Sequence, residues 1–280
     1  MSRYTRDEIL DRLHKKIADK KPIIIGAAGV GLIAKTIDKA GIDIIMSYCT
    51  GPFRLNGNGG EQGYMGYCDC NDVTMEMGHM MLDRIKNTPM VAGIGCADPY
   101  RSIDFLIDEM LDIGFSGVTN CPCVGGHGGA IQNIMEEHGV GFNGEVELIR
   151  RCHDRGVFTI AYAFSEDQVR AMVQAGTDIV CPHVGNTLDK SLPEGLCTPM
   201  DAAMEKVNRL YQIAVKENPQ VIVACHGGPF ADPESVQYAF QHSPVQAFVG
   251  ASAVERIPLE DALEETIKKY LSIQVGGSAR

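Results

Sequence analysis

Two histidines stand at the ends of apolar runs, where a side chain is positioned by the core but reaches a polar surface. His183 follows the run at 177–181, and His226 ends the run that begins at residue 221. Imidazole gains and loses protons near neutral pH, so both are candidate proton-transfer groups. The alternative is that each is a core histidine with its hydrogen bonds satisfied by the protein.

Small residues after the last two apolar runs predict an anion site. Gly227 and Gly228 follow His226, and Gly250 and Ser252 follow the run at 247–249. Such residues leave backbone N–H groups open to a phosphate or carboxylate, particularly where a helix begins. The alternative for Gly227 and Gly228 is a tight turn without a ligand.

Three charged residues complete the candidate chemistry. Asp98 follows the third apolar run and could position Mg²⁺ through water or act as a base, although it could instead cap the helix that begins near residue 101. Arg54 and Arg256 are expected to neutralise acid groups of a ligand. Arg256 could alternatively form a surface ion pair.

The remaining candidates are polar or small residues at other run ends. Ser47, Gly51 and Asn120 are predicted to contact the substrate. Two cysteine pairs, Cys68/Cys70 and Cys121/Cys123, could hold zinc together, but their one-residue spacing is not typical of zinc sites. Nucleophilic use of a cysteine requires a neighbour that lowers the thiol pKa, which the sequence does not reveal.

Eight apolar runs alternate with helical segments and would position these residues. The predicted strands cover 22–26, 42–48, 89–94, 115–119, 157–162, 177–181, 221–224 and 247–249. The segments between and after them, at 32–40, 73–86, 101–113, 144–155, 166–175, 200–217, 232–242 and 259–271, have helical character. Glycines before several strands (Gly41, Gly114, Gly156 and Gly176) are typical helix C-caps.

This alternation predicts an α/β fold: a single (β/α)₈ TIM barrel over residues 1–280, in which strand 8 pairs with strand 1. An extra N-terminal helix at 6–20 is expected to cover the bottom of the barrel, and 276–280 to be a frayed tail. An open doubly wound sheet is the structural alternative. In a barrel, the run ends listed above meet at the C-terminal face, where active sites lie.

Two connections on that face, 50–72 and 122–143, are too long for simple turns and are interpreted as lids. The first contains six glycines, which favour flexibility, and carries Arg54. We expect Arg54 to close over a bound acid. The alternative is a loop that packs against a neighbouring subunit and does not move.

Composition narrows the class of partner. The net charge of −11 argues against nucleic acid, but a local pocket can still bind a small anionic metabolite. No signal segment or membrane-length apolar stretch is recognisable, and the ten cysteines are not evenly spaced as in a disulfide framework. We therefore expect a cytoplasmic protein with reduced thiols. A homo-oligomer is a separate expectation.

Four ordered segments, at 26–35, 93–101, 226–229 and 250–256, resemble the phosphoenolpyruvate hydrolase-like family, also described as a TIM-barrel signal-transduction family. The resemblance runs from about residue 6 to residue 270. It implies a (β/α)₈ barrel and an enolpyruvate-type ligand.

The chain is more distantly similar to the phosphoenolpyruvate mutase and isocitrate lyase superfamily, in which a serine after strand 2 binds the substrate acid and an aspartate near strand 3 holds Mg²⁺. Ser47 and Asp98 are the nearest matches. The chain lacks an Asp-x-Asp ending strand 3 and a Lys-Lys-Cys-Gly-His loop, and it reads Thr-Asn-Cys-Pro at 119–122 in place of Glu-Asp-Lys. These departures leave the metal and the bond cleaved undetermined.

The expected function is a hydrolase or lyase acting on a small 2-oxo or enolpyruvate-type acid, phosphorylated or phosphonate acids included, through an enolate-like intermediate. Asp98, His183 and His226 would be catalytic, with Mg²⁺ as the expected cofactor and no nicotinamide or flavin. Two alternatives stay open: a ligand sensor without turnover, and a phosphosugar isomerase with Glu255 or Asp98 as its base.

Overall fold

A closed barrel of eight parallel strands forms the centre of the computed structural model, which describes residues 4–187 and 197–275. The strands are β1 Ile23–Ala27, β2 Ile44–Ser47, β3 Met90–Gly93, β4 Gly117–Thr119, β5 Phe158–Ala163, β6 Ile179–Pro182, β7 Ile222–His226 and β8 Ala247–Gly250. Strand β8 pairs with β1, with Ile24 opposite Phe248. The predicted TIM barrel is thereby confirmed, and the open sheet is excluded.

Helices surround the barrel in the predicted order. They are α1 Arg6–Ala18, α2 Gly31–Ala40, α3 Thr50–Leu55, α4 Cys70–Met81, α5 Ile103–Ile113, α6 Gly129–Glu137, α7 Phe142–Asp154, α8 Glu166–Gln174, α9 Met200–Glu217, α10 Pro233–His242 and α11 Arg256–Leu271. Helices α2 and α5 end at Gly41 and Gly114, whose φ angles of 86° and 119° are left-handed. Glycine adopts this conformation without the steric cost that other residues pay.

Helix α1 covers the N-terminal end of the barrel. Its Ile9 and Leu13 are buried in the same apolar cluster as Ile23 and Ile222 from inside the barrel. The Arg6 guanidinium lies 2.7 Å from a carboxylate oxygen of Asp178, just before β6. With this end closed by apolar contacts, the C-terminal ends of the strands remain as the open face.

The connection after β2 is folded, which differs from the expected flexible lid. It contains α3 and a 3₁₀ turn at Gly60–Tyr64 before α4 begins. Gly51 in α3 lies so close to Gly29 that a Cβ atom on Gly51 would lie 2.6 Å from the Gly29 Cα. This close backbone approach fixes the start of the segment, so its glycines serve packing as well as flexibility.

The described residues were also compared with the expectations on membrane spans and cysteines. No helix within residues 4–187 and 197–275 is long and apolar enough to cross a membrane. All ten cysteines are free thiols. The predicted tail at 276–280 lies outside the described residues.

Candidate active site

A cavity of about 1070 Å³ opens at the C-terminal ends of the strands. Its wall contains side chains that lie in β5 and β7 or follow β2, β4, β6 and β8: Tyr48, Arg54, Cys121, Cys123, Tyr162, His183, His226, Ser252 and Arg256. Its size suits a small-molecule ligand with room for water. Five of the predicted site residues therefore meet in one place: Arg54, His183, His226, Ser252 and Arg256.

His226, the last residue of β7, is held in one tautomer. Its Nδ1 lies 2.7 Å from the carbonyl oxygen of Val249 on β8. A carbonyl can only accept, so Nδ1 carries the proton and Nε2 carries the lone pair. Burial lowers the pKa of His226 to about 4, against the hydrogen bond to Val249, which raises it. His226 is therefore neutral at neutral pH, with Nε2 ready to accept a proton.

His183, directly after β6, is held in the opposite tautomer. The backbone N–H of Gly185 donates to His183 Nδ1 at 3.1 Å. Because that nitrogen accepts, Nε2 carries the proton in the neutral ring. Burial lowers the pKa of His183 well below its usual value, and the nearby His226 and Lys206 lower it further. His183 is therefore a neutral hydrogen-bond donor.

The two rings form a compact pair. Their centroids are 4.7 Å apart with one ring edge toward the other, and the backbones of the two residues are joined by a parallel bridge. The Phe164 ring stacks on His183, and the Tyr162 ring lies 5.1 Å from His226. These contacts fix a proton acceptor and a hydrogen-bond donor side by side in one cavity, an arrangement that suits a base next to a group that stabilises negative charge.

Lys206 is a cavity residue that the sequence reasoning missed. It comes from α9, and its Nζ donates to the His183 carbonyl oxygen at 3.0 Å. Lys206 reaches the cavity from within a surface helix, so neither a strand end nor a long loop marks it in the sequence. Arg256 also faces the cavity, although Glu260 already accepts from it at 2.8 Å.

Arg54 lies in the cavity wall but is engaged by the protein. Its Nε donates to Glu255 Oε1 at 2.7 Å, and both side chains are buried. The other Glu255 oxygen accepts from the Gly29 backbone N–H at 2.8 Å. The pair thus connects the ends of β1, β2 and β8. Arg54 was expected to close over a bound acid from a flexible lid. In the structure it is already paired with Glu255 without a ligand.

Asp98 lies in a separate, narrower pocket of about 270 Å³, away from the two histidines. One carboxylate oxygen accepts from the backbone N–H groups of Tyr100 and Arg101 at 2.8 and 3.0 Å. The other accepts from Asn71 Nδ2 at 3.0 Å and Arg101 Nε at 2.7 Å. Burial alone would raise the pKa of Asp98, but these hydrogen bonds outweigh it and lower the pKa.

The Asp98 carboxylate does not fit the expected role of Mg²⁺ ligand or base. A carboxylate offers about four acceptor positions, and all four are used here. A guanidinium in direct contact would also repel a divalent cation. Asp98 instead organises the turn before α5. The alternative of a helix cap differs from the structure, because Ser102 is the N-cap residue of α5. Within residues 4–187 and 197–275, no group of three or more His, Cys, Asp or Glu side chains is arranged to hold a metal ion.

Several predicted contact residues are placed in the packing instead of the cavity. The Ser47 hydroxyl lies 3.8 Å from the sulfur of Met77 on α4, and Gly51 packs on Gly29. Gly228 donates its N–H to Gly185 at 2.9 Å. The positive φ angles of Gly227 and Gly228, 80° and 54°, make the tight turn that was the alternative reading.

Gly250 is likewise in close packing, since a Cβ atom there would lie 2.3 Å from the Val254 side chain. Ser252 lines the cavity, whereas the other three residues predicted to bind an anion, Gly227, Gly228 and Gly250, do not. The close approach of loops therefore explains these glycines without a ligand.

Asn120 serves as a bridge behind the cavity. Its Oδ1 accepts from the Tyr162 backbone N–H at 2.8 Å and its Nδ2 donates to the Tyr162 carbonyl at 3.1 Å. The same Nδ2 lies against Glu145 of α7, a buried carboxyl that sequence reasoning also missed. Glu145 lies in the first turn of α7, where acidic residues are favoured on exposed helices, so its sequence context carries no signal of burial.

Comparisons with known proteins agree with this architecture. The sequence model of the phosphoenolpyruvate hydrolase-like family matches residues 8–273. The ToMV susceptible protein tm-1(GCR26) of Solanum lycopersicum is 36% identical over 268 residues, which are 95% of this chain and 36% of that protein. The chain thus spans about a third of the length of the curated relatives it matches first.

Solved structures share the fold at low sequence identity. A phosphonopyruvate hydrolase, in complex with oxalate and Mg²⁺, aligns with a TM-score of 0.61 at 15% identity over 95% of this chain and 87% of its own. A 2,3-dimethylmalate lyase of the phosphoenolpyruvate mutase/isocitrate lyase superfamily aligns with a TM-score of 0.59 at 15% identity over 99% and 91%.

The family model covers the barrel from α1 to just past α11 and includes both histidines of the cavity. On that match, the chain belongs to the phosphoenolpyruvate hydrolase-like family.

Proposed function

We propose that this barrel is a hydrolase or lyase that acts on a small 2-oxo or enolpyruvate-type acid through an enolate-like intermediate. The observation that carries the proposal is the fixed pair of neutral histidines in opposite tautomers, His226 with a free lone pair and His183 with an Nε2–H. The family membership and the shared fold with enzymes of small acids support the same substrate class.

The two histidines have distinct roles in this proposal. His226 Nε2 takes the proton from an attacking water in hydrolysis, or from a substrate hydroxyl in C–C cleavage. His183 Nε2–H donates a hydrogen bond to the oxygen on which the enolate charge develops. Lys206 and Arg256 supply positive charge for the acid groups, and Ser252 is a further polar contact.

Glu255 and Asp98 favour this reading over a phosphosugar isomerase. An isomerase would need one of them as an available base, but Glu255 is paired with Arg54 and Asp98 with Arg101. The solved phosphonopyruvate hydrolase binds Mg²⁺, yet Asp98 does not fit that ion, so no step is assigned to a metal.

A substrate panel tests the proposal. Phosphoenolpyruvate, phosphonopyruvate and 2,3-dimethylmalate represent P–O, C–P and C–C cleavage, and proton and phosphorus NMR detect the products directly. We expect turnover of at least one of them, and a raised melting temperature with oxalate as an enolate mimic. An acid that raises the melting temperature without turnover would favour the ligand sensor. If no acid is turned over and none raises the melting temperature, the substrate class is rejected.

The homo-oligomer stays a prediction. Helix α11 contributes no buried residue and leaves Leu263, Ile267 and Tyr270 exposed, which favours contact with another chain. Light scattering after size-exclusion chromatography measures the mass, and a monomer at all concentrations would contradict it.

A further inference from the structure

Cys123 and Glu145 form a side-chain pair that the two histidines do not explain. Cys123, on the connection after β4, lines the cavity, and its Sγ lies 2.8 Å from Glu145 Oε2. The backbone N–H of Val124 donates to Glu145 Oε1 at 2.6 Å, and Asn120 Nδ2 contacts Oε2. A buried carboxyl is thus held by three groups, one of which is a thiol that lines the cavity.

The protonation of this pair favours proton donation over nucleophilic attack. Burial raises the pKa of Cys123 well above its usual value, and the adjacent carboxylate raises it further, so the thiol keeps its proton. Burial raises the pKa of Glu145 to about 7, against the hydrogen bonds from Cys123, Asn120 and Val124. The other titratable groups facing Glu145 are the thiols of Cys96 and Cys121.

We propose that Cys123 is a catalytic proton donor of the cavity and that Glu145 is the positioning residue that holds and resupplies its proton. The inference rests on the proposed enolate chemistry. The Cys123 S–H bond breaks as a C–H bond forms on the enolate carbon, and the enolate oxygen returns to a carbonyl. The thiolate then takes the proton of the Glu145 carboxylic acid, which is replaced from water.

A first experiment measures the coupling without any substrate. The rate of Cys123 alkylation by iodoacetamide is followed by peptide mass spectrometry between pH 7 and 9 in the wild type and in Glu145→Gln. Removing the carboxylate takes away a charge that raises the thiol pKa, so alkylation of Cys123 at pH 8 is expected to be about tenfold faster. An unchanged Cys123 rate would overturn the inference.

A second experiment uses an acid that the wild type cleaves. We expect Cys123→Ala to lower kcat by about 100-fold, within the usual range for a lost proton-transfer group. The wild-type kcat should fall as pH rises through about 7, because Glu145 must be protonated, and this limb should be absent in Glu145→Gln. Cys152→Ala removes a buried thiol from the same helix as Glu145 but outside the cavity, and it should keep the wild-type profile.

The outcomes separate this inference from the function beneath it. If the wild type cleaves none of the acids, the proposed function is rejected. Wild-type cleavage with unchanged kcat in Cys123→Ala and an unchanged pH profile in Glu145→Gln would reject only the Cys123–Glu145 role. If Glu145→Gln fails to fold, Cys123→Ala together with Cys123→Ser, which keeps a hydroxyl donor and should recover part of kcat, still decides the matter.

Discussion

The wide cavity and the narrow pocket both lie beside strand ends, yet they differ in what their polar groups are free to do. In the cavity, His226 and His183 each use one ring nitrogen to fix the ring and leave Nε2 for a ligand. In the pocket, both oxygens of Asp98 are filled by Asn71, Arg101 and backbone donors. Position at a strand end brings a residue to the face, but unused hydrogen-bonding capacity determines whether it can act on a substrate.

Arg54 shows that the distinction also holds within the cavity wall. It lines the space, as expected from its position after β2, but Glu255 uses its charge. Lys206, by contrast, donates from its ammonium group to one backbone oxygen, and no other acceptor within residues 4–187 and 197–275 takes its remaining two donors.

The largest expected effect comes from the cavity. His226→Gln removes the basic Nε2 nitrogen while roughly keeping the side-chain volume, since an amide accepts hydrogen bonds but does not take a proton. We expect a loss of about 1000-fold in kcat, within the range for a general base. Activity assays on whichever acid of the panel is cleaved provide the measurement, with circular dichroism to show that the barrel is intact. A folded variant with near-normal kcat would remove His226 from the mechanism.

The pH profile adds a second measure of the same residue. The neutral ring is the base, and the pKa of His226 is about 4, so the wild-type activity due to this group should hold at neutral pH and fall as the pH drops through about 4. A limb near the usual histidine value of about 6.5 would contradict the lowered pKa.

Arg54→Ala tests whether Arg54, which lines the cavity, stabilises the fold through its ion pair with Glu255. It leaves the buried Glu255 carboxylate without its partner, which typically costs about 3–5 kcal/mol. We therefore expect a clear loss in the free energy of unfolding measured with urea, even without ligand. The double variant Arg54→Met with Glu255→Leu should recover much of it. A ligand-free stability equal to that of the wild type would instead support the mobile-lid interpretation.

Lys206→Met should mainly affect binding. The variant keeps most of the aliphatic stem but removes the charge, so we expect KM for an anionic substrate to rise about tenfold, which corresponds to one lost charged hydrogen bond. Unchanged KM would indicate that Arg256 alone neutralises the acid. Lys216→Met on the same helix, away from the cavity, is the matched control.

The smallest effect is expected at Asp98. Asp98→Asn keeps an acceptor for the turn but weakens the contact with Arg101, so the free energy of unfolding should fall by about 1–2 kcal/mol. The kcat value should stay within about twofold, because the residue lies outside the cavity. A loss of activity as large as that of His226→Gln would erase the contrast between the two regions.

The sequence by itself determined the barrel, the order of its elements and the face that carries the site. The apolar runs at β1 and β8 are short and each is followed by a glycine, and parallel strands with helical connections close in one handedness. His183 and His226 were also identifiable, because a polar residue directly after a buried strand has only the C-terminal face to occupy.

Tertiary structure alone decided which of the candidates remain available. Arg54 is engaged by Glu255, 201 positions away in sequence, and Asp98 is engaged by Asn71 of α4, 27 positions away, as well as by the nearby Arg101. No local pattern records the two long-range pairings. Glu145 and Lys206 reach the site from helices, where their neighbours in sequence resemble any solvated face. Burial and hydrogen-bond saturation depend on what the rest of the chain brings to a residue, so they arise only when the barrel closes.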